Sequence, residues 1–219
     1  MEKYFPVLSQ TLLFAGIRQE ELASLLGCLQ ARVVAVKKGD PLFLEGDAAG
    51  FIGVVLSGCI QILQEDYYGN RSLLTQAETG EIFAETFACA NLSRMPVSGY
   101  APRDAEVMLL SCQKMLTVCS NSCRFHNALV KNLLQVVAQK NLSLSRKIGF
   151  MSQKTTREKL MAYLLDQAKR AGSPRFTIPL DRQALADFLG VERSAMSAEL
   201  GKLRKAGVLE CQGPHFELL

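Results

Sequence analysis

Arg182-Gln-Ala-Leu-Ala-Asp-Phe-Leu-Gly-Val-Glu-Arg-Ser-Ala-Met-Ser-Ala-Glu-Leu-Gly-Lys-Leu-Arg-Lys205 has the spacing of two short helices joined by a sharp turn. Leu185, Ala186 and Leu189 fall on one face of the first helix, which Asp181 is placed to cap. Ala186 is small where two helices must cross closely, and Gly190 stands where the turn needs a positive φ. Met196, Leu200 and Leu203 then repeat at helical spacing and form a buried stripe on the second helix. Its opposite face carries Ser194, Ser197, Ala198, Gly201 and Lys205, with Arg193 near the N-terminus. A helix that is apolar on one side and small, polar and basic on the other suits the major groove of DNA. Gly207-Val-Leu-Glu-Cys-Gln-Gly-Pro-His-Phe-Glu-Leu218 follows at once and reads as two strands around Gln212-Gly213-Pro214, a wing. An ordinary helical hairpin inside a core is the alternative, and the wing argues against it. Arg182, Gln183, Arg193, Ser194, Ser197, Lys202 and Lys205 are the expected DNA contacts.

Working back from this segment, the 219 residues suffice for two modest domains. Net charge is +4 but unevenly spread: −3 over residues 1–130, +4 over 131–152 and +3 over 153–219. An acidic front and a basic rear fit a sensor joined to a polyanion-binding domain. No apolar run is long enough to span a bilayer, and Met1-Glu-Lys-Tyr-Phe-Pro6 does not resemble a signal peptide. Seven cysteines, an odd number without small-scaffold spacing, suggest reduced thiols. A cytoplasmic protein with no membrane partner is expected.

Between Val33 and about Ser111, short apolar runs alternate with glycine turns, which predicts an antiparallel β domain. Val33–Val36 leading into Lys37-Lys38-Gly39-Asp40 carries a hairpin signal. Ile60–Leu63 and Arg71–Thr75 flank a polar tip. A helix is expected ahead of the strands, from Gln19 to Leu29, with Leu22, Leu25, Leu26 and Leu29 on one face. Asn127 to about Met151 reads as a long helix. Val130, Val137, Leu144 and Met151 recur on it every seven residues, with Leu133, Leu134, Asn141 and Ile148 beside them. Such a stripe predicts a seam with a second copy, for which Val130, Val137, Asn141, Leu144 and Ile148 are the expected contacts. Packing of the helix against its own β domain is the alternative. A further helix is expected over 156–171, after a hinge at Ser152–Thr155.

Lys38-Gly39-Asp40, Glu45-Gly46-Asp47, Leu56-Ser57-Gly58 and Gly80-Glu81, followed by the helix pair and wing, resemble the CRP/FNR family of bacterial transcription regulators. The resemblance covers essentially the whole chain. It implies an α+β protein with a cyclic-nucleotide-binding-like β-roll (1–126), a dimerisation helix and hinge (127–152) and a winged helix-turn-helix (153–219). It also implies a homodimer on a palindromic operator, with RNA polymerase as a partner.

In cyclic-AMP-binding members of the family, a Gly-Glu pair opens a short helix and a later Arg-Ser pair holds the phosphate. Gly80-Glu81 matches the opening. Aligning the strand Ala105–Ser111 places Met95-Pro96 where Arg-Ser would stand, and Arg94, one residue off, should aim away. An anionic phosphodiester would then be buried without a counter-charge. Cyclic AMP is therefore not the expected effector, whose identity stays unknown. Gly80, Glu81, Met95, Pro96, Val97 and Ser98 are the candidate lining, and a filled interior without ligand is the alternative.

Cys119-Ser-Asn-Ser-Cys123-Arg-Phe-His126 supplies a competing sensor, a metal or redox site built from Cys119, Cys123 and His126. Cys112 lies nearby and Cys89 falls in the helix after Gly80-Glu81. Cys28, Cys59 and Cys211 lie in apolar contexts and read as structural. An enzyme is not expected. A β-barrel metalloenzyme needs several converging histidines, whereas the sequence has two, His126 and His215, in different domains.

Overall fold

The computed structural model describes residues 1–69, 71–117 and 124–219. They form two compact units, Met1–Ala138 and Gln139–Leu219. The division falls inside the long helix, not at either of its ends.

The first unit opens with α1 (Phe5–Gln10) and α2 (Gln19–Cys28). Strands β1 (Arg32–Val36), β2 (Pro41–Phe43), β3 (Phe51–Ser57), β4 (Cys59–Glu65), β5 (Arg71–Glu78) and β6 (Ile82–Phe83) come next. Then follow α3 (Glu85–Cys89), β7 (Ser98–Tyr100), β8 (Ala105–Ser111), α4 (Cys112–Leu116) and the first half of α5 (Arg124–Met151). The strands build two antiparallel four-stranded sheets, β1-β8-β3-β6 and β2-β7-β4-β5. The β4–β5 hairpin forms where the sequence suggested. The turn at Lys37–Asp40 does not make one. It closes locally, with Asp40 N donating to Lys37 O at 3.0 Å, but β1 pairs with β8 and β2 with β7. Chain reversal at this turn coincides with a change of sheet, which local turn chemistry does not reveal.

β3 is covered on both faces, so it reads as a continuous apolar run instead of an alternating one. Ile52, Val54 and Leu56 meet Leu22, Leu25 and Leu26 of α2 and Leu129, Leu133 and Val136 of α5 in one core. Val55 belongs to the second core, between the sheets, with Phe43, Phe83, Met95 and Val97. There each phenylalanine is paired across the ladder with a glycine, Phe83 with Gly53 and Phe43 with Gly99. A Cβ on either glycine would overlap the ring beside it. The two rings lie nearly parallel, with centroids 6.5 Å apart.

In the second unit α6 (Thr156–Ala171) starts at a reciprocal cap. Thr155 N donates to Glu158 Oε2 at 3.0 Å, and Glu158 N donates to Thr155 Oγ1 at 3.2 Å. β9 (Arg175–Thr177), α7 (Arg182–Leu189), α8 (Arg193–Lys205), β10 (Leu209–Gln212) and β11 (His215–Leu218) complete the unit. The wing is a three-stranded sheet, β10-β11-β9. β9 was not anticipated, because three residues carry too little pattern. The expected stripes Leu185/Ala186/Leu189 and Met196/Leu200/Leu203 are all buried with Leu160, Tyr163 and Leu164 of α6. Phe150, near the end of α5, packs edge-on to Tyr163 with centroids 5.7 Å apart.

The paired ring and glycine make a direct stability test. Gly53→Ala is expected to lower unfolding free energy by about 1–3 kcal/mol through overpacking. Gly50→Ala, where a methyl meets open space, should leave the urea midpoint almost unchanged.

Candidate nucleic-acid interface

The helix pair assembles as its sequence dictates. Asp181 Oδ1 accepts from Ala184 N at 2.8 Å and caps α7. Gly190 ends that helix at φ +61°, so the chain turns without the strain that a Cβ would bring. α8 then buries Met196, Leu200 and Leu203 and turns Arg193, Ser194, Ser197, Ala198 and Lys205 outward. Gly201 sits on the same outward side, and a methyl there would touch nothing within the protein. A helix-interior glycine costs about 1 kcal/mol relative to alanine. Here no intramolecular contact offsets that cost, so the outward face keeps a low relief along its centre.

The basic residues divide into free and committed. Arg193 and Lys205 are exposed. Lys202 Nζ lies 2.6 Å from Glu199 Oε1, one turn back on α8. Gln183 Nε2 donates to Asp187 Oδ1 at 2.9 Å along α7. Arg182 departs most from the expectation. Its guanidinium lies over the Phe216 ring at 5.0 Å, and its Nη2 reaches Gly213 O at 3.2 Å and Cys211 Sγ at 3.4 Å. The side chain therefore fixes the tip of the wing against the start of α7. No signal near Arg182 could have shown this, because its partners lie about thirty positions later.

Beneath the wing, an open cleft of about 620 Å³ is bordered by Arg175, Arg204, Glu210, His215 and Glu217. Arg175 pairs with Glu217 at 2.7 Å and Arg204 with Glu210 at 3.4 Å. The charges there cancel, so the cleft is no anion patch.

α5 presents two apolar faces. Leu129, Leu133 and Val136 are buried in the first unit's core. Asn132, also buried, donates through Nδ2 to Leu13 O at 3.0 Å and Ala15 O at 2.8 Å, pinning the N-terminal segment. Leu133 was expected beside the seam and instead belongs to this inner face. The outer face keeps the heptad spacing: Val130, Leu134, Asn141, Leu144, Ile148 and Met151 are exposed and Val137 is half-buried. Leu134 is 69% exposed and Ile148 59%, and together with their neighbours they make an apolar patch rather than scattered surface residues.

The candidate effector residues do not converge on an open site. Met95 and Val97 are buried within the core between the sheets. Pro96 is exposed. Glu81 is exposed too and accepts from Glu78 N at 2.9 Å, so its carboxylate closes the turn that Gly80 makes at φ +87°. Ser98 Oγ accepts from Glu45 N at 2.9 Å. Arg94 aims outward as expected, with Nη1 donating to Gly46 O at 2.6 Å.

Cys119 and Cys123 lie outside the described residues. His126 is buried near the start of α5, its Nε2 2.8 Å from Lys114 O of α4. Among the described residues no group of three or more His, Cys, Asp or Glu is arranged to hold a metal ion. Cys59 is buried and Cys211 half-buried, but Cys28 is exposed, contrary to the structural role expected for it. Among the same residues no helix is long and apolar enough to cross a membrane.

Two family models match the two parts. Residues 33–122 match the cyclic nucleotide-binding domain, and residues 158–219 match the Crp-like helix-turn-helix domain. The chain belongs to the CRP/FNR family of transcriptional regulators. It is 24% identical over 197 residues to the cyclic AMP receptor protein of Thermus thermophilus, covering 90% of this chain and 87% of the relative. It is 26% identical over 214 residues to the probable transcriptional regulator flp of Lacticaseibacillus casei, covering 94% and 91%. In fold it is similar to the c-di-GMP-responsive global regulator CLP of Xanthomonas campestris, with a TM-score of 0.59. That match has 18% identity and covers 92% of this chain and 99% of the other. This regulator thus pairs a cyclic-nucleotide-binding-type β-roll with a DNA-binding helix-turn-helix.

Proposed function

We propose that this protein is a homodimeric, sequence-specific transcription factor that inserts α8 of each copy into successive major-groove faces of a palindromic operator. The outward face of α8 carries the reading. It is exposed, small and polar, and it begins with a free arginine. Such a face lets the helix approach base edges closely, and an arginine can bond the O6 and N7 of guanine together. Arg193 is assigned the base-reading role, with Ser194 and Ser197 beside it. Lys202, Lys205 and Gln183 contact or face phosphates. Arg182 positions the wing. RNA polymerase is the proposed protein partner, and the cytoplasm the proposed compartment.

The exposed heptad face of α5 supports the dimer. Burying a leucine, isoleucine or methionine side chain contributes about 1.5–3 kcal/mol, and Leu134, Leu144, Ile148 and Met151 lie uncovered on this face. Asn141 falls among them, at a cost in stability that fixes register. A two-fold dimer suits a palindromic operator, whose half-sites lie about 34 Å apart, one turn of DNA.

We assign the β-roll an effector other than cyclic AMP. Apolar Met95 and Val97 fill the interior where a phosphate clamp is needed, and Arg94 is spent on a backbone carbonyl outside it.

Arg193→Ala is expected to cost about 1–3 kcal/mol on the operator and much less on random duplex. Equal losses on both, measured by fluorescence anisotropy, would remove the base-reading role. Leu144→Asp, chosen because Leu144 is exposed whereas Val137 is partly packed into its own β-roll, should sediment as a folded monomer and lose operator binding. A wild-type protein that is monomeric at micromolar concentration would refute the seam. Isothermal calorimetry with cyclic AMP should show no micromolar binding, and saturable binding that tightens operator affinity would overturn the effector assignment.

A further inference from the structure

β1 carries a cation where its own pattern calls for an apolar residue. Side chains alternate along a strand, and Val34 and Val36 of β1 pack into the core between the sheets. Arg32 shares their face, stands opposite Leu109 of β8 in the ladder and is exposed. Beside that row, Phe51 of β3 stands opposite Ser111 of β8. Leu109 belongs to the core between the sheets, and Phe51 packs against it. The face ends in a cleft of about 350 Å³ bordered by Gln30, Arg32, Phe51, Leu109 and Ser111. None of the expected effector-lining residues borders it, and neither does any carboxylate.

Two features set this border apart from ordinary surface. Arg18, Arg71 and Arg103 of the β-roll are held in ion pairs, and Arg94 is bound to Gly46 O. Arg32 has no side-chain ion pair or hydrogen bond among the described residues. Gln30 is the second feature, with φ +52°. It closes the end of α2, where Gln30 N donates to Gly27 O at 3.1 Å and Ala31 N to Leu26 O at 2.9 Å. Glycine is the usual residue at such a closing turn. A glutamine there costs backbone strain, which local structure alone does not call for, and it adds an exposed amide to the border.

We propose that this cleft is a binding site for a small aromatic carboxylate. The Arg32 guanidinium holds both carboxylate oxygens in its planar fork, which an ammonium cannot do. The Gln30 amide donates to one of these oxygens. Ser111 Oγ already accepts from Lys114 N at 3.3 Å, so its hydroxyl proton remains available for the other. The ring of the ligand lies against Phe51, where an aromatic pair adds to simple burial, with Leu109 beside it. One cation without an acid on the border selects a single negative charge. The volume falls within the range of small-molecule sites, which combine apolar walls with a few polar groups.

The test is isothermal calorimetry on the full chain with phenylacetate, acetate and phenylacetamide. Phenylacetate is expected to saturate with a sub-millimolar Kd. Acetate lacks the ring and phenylacetamide the charge, and each should bind more weakly by about tenfold or more. Arg32→Gln should weaken phenylacetate binding by about tenfold or more, and Arg32→Lys should restore little of it because the fork is lost. Arg71→Gln, in the other sheet, should leave it unchanged. Gln30→Gly separates a ligand role from a structural one. Glycine suits the left-handed φ, so the urea midpoint should hold or rise while affinity for phenylacetate falls. Arg32 and Gln30 are both exposed, so these variants are expected to fold. The proposal is overturned if phenylacetate shows no saturable binding in that range, if acetate binds as tightly, or if Arg32→Gln leaves the affinity intact.

Discussion

α5 has to satisfy two demands with one cylinder. Its inner face completes the core over β3 and β8 through Leu129, Leu133 and Val136. Its outer face holds Leu134, Leu144 and Ile148 in water. A helix has about 3.6 residues per turn, so both stripes run alongside each other without sharing a residue, and Val137 at their border is half-buried. The inner stripe fixes where the helix lies on the β-roll. The outer one stays in contact with water unless apolar surface from elsewhere covers it. Asn132 adds a polar constraint, since its two bonds to the Leu13 and Ala15 carbonyls hold the N-terminal segment against the same helix.

The recognition segment depends on less. α7 and α8 follow from local rules: an acidic cap, a glycine in the left-handed region and two stripes at helical spacing. Those rules act within a few residues, and for that reason they were legible in the sequence. So were α2, α6, the β4–β5 hairpin and the long helix, apart from its first three residues, whereas Thr155 of the α6 cap fell in the stretch read as a hinge. What escaped was decided at long range. The Lys37–Asp40 turn has the composition of a hairpin, and only the distant strands β7 and β8 determine that it carries the chain from one sheet to the other. β9 exists because β11 is there to pair with it.

The candidate sites divide in the same way. Arg193, Ser194 and Ser197 lie on the expected face because helical periodicity alone puts them there. Arg182 sits at the right end of α7 but is drawn to Phe216, Cys211 and Gly213 of the wing. Met95 and Val97 were apolar in sequence, and apolar character alone cannot tell a ligand wall from a packed interior. The structure places both among core side chains. Leu133 shows the difficulty most simply, since one residue of rotation separates a seam position from a core position on the same helix.

The pairing of Phe83 with Gly53 and of Phe43 with Gly99 also bears on how such a β-roll can diverge. Each ring occupies the volume that a side chain on its partner strand would otherwise fill. A larger residue at Gly53 becomes acceptable only after Phe83 shrinks, so the two positions must change together or in that order. An intermediate with Phe83 already shortened would hold an apolar void between the sheets, and voids of that kind stay dry and admit small apolar molecules. The glycine thus leaves the lineage a short mutational path from a solid interior to a hollow one, along which the hollow form exists before any polar group has been recruited to make it selective.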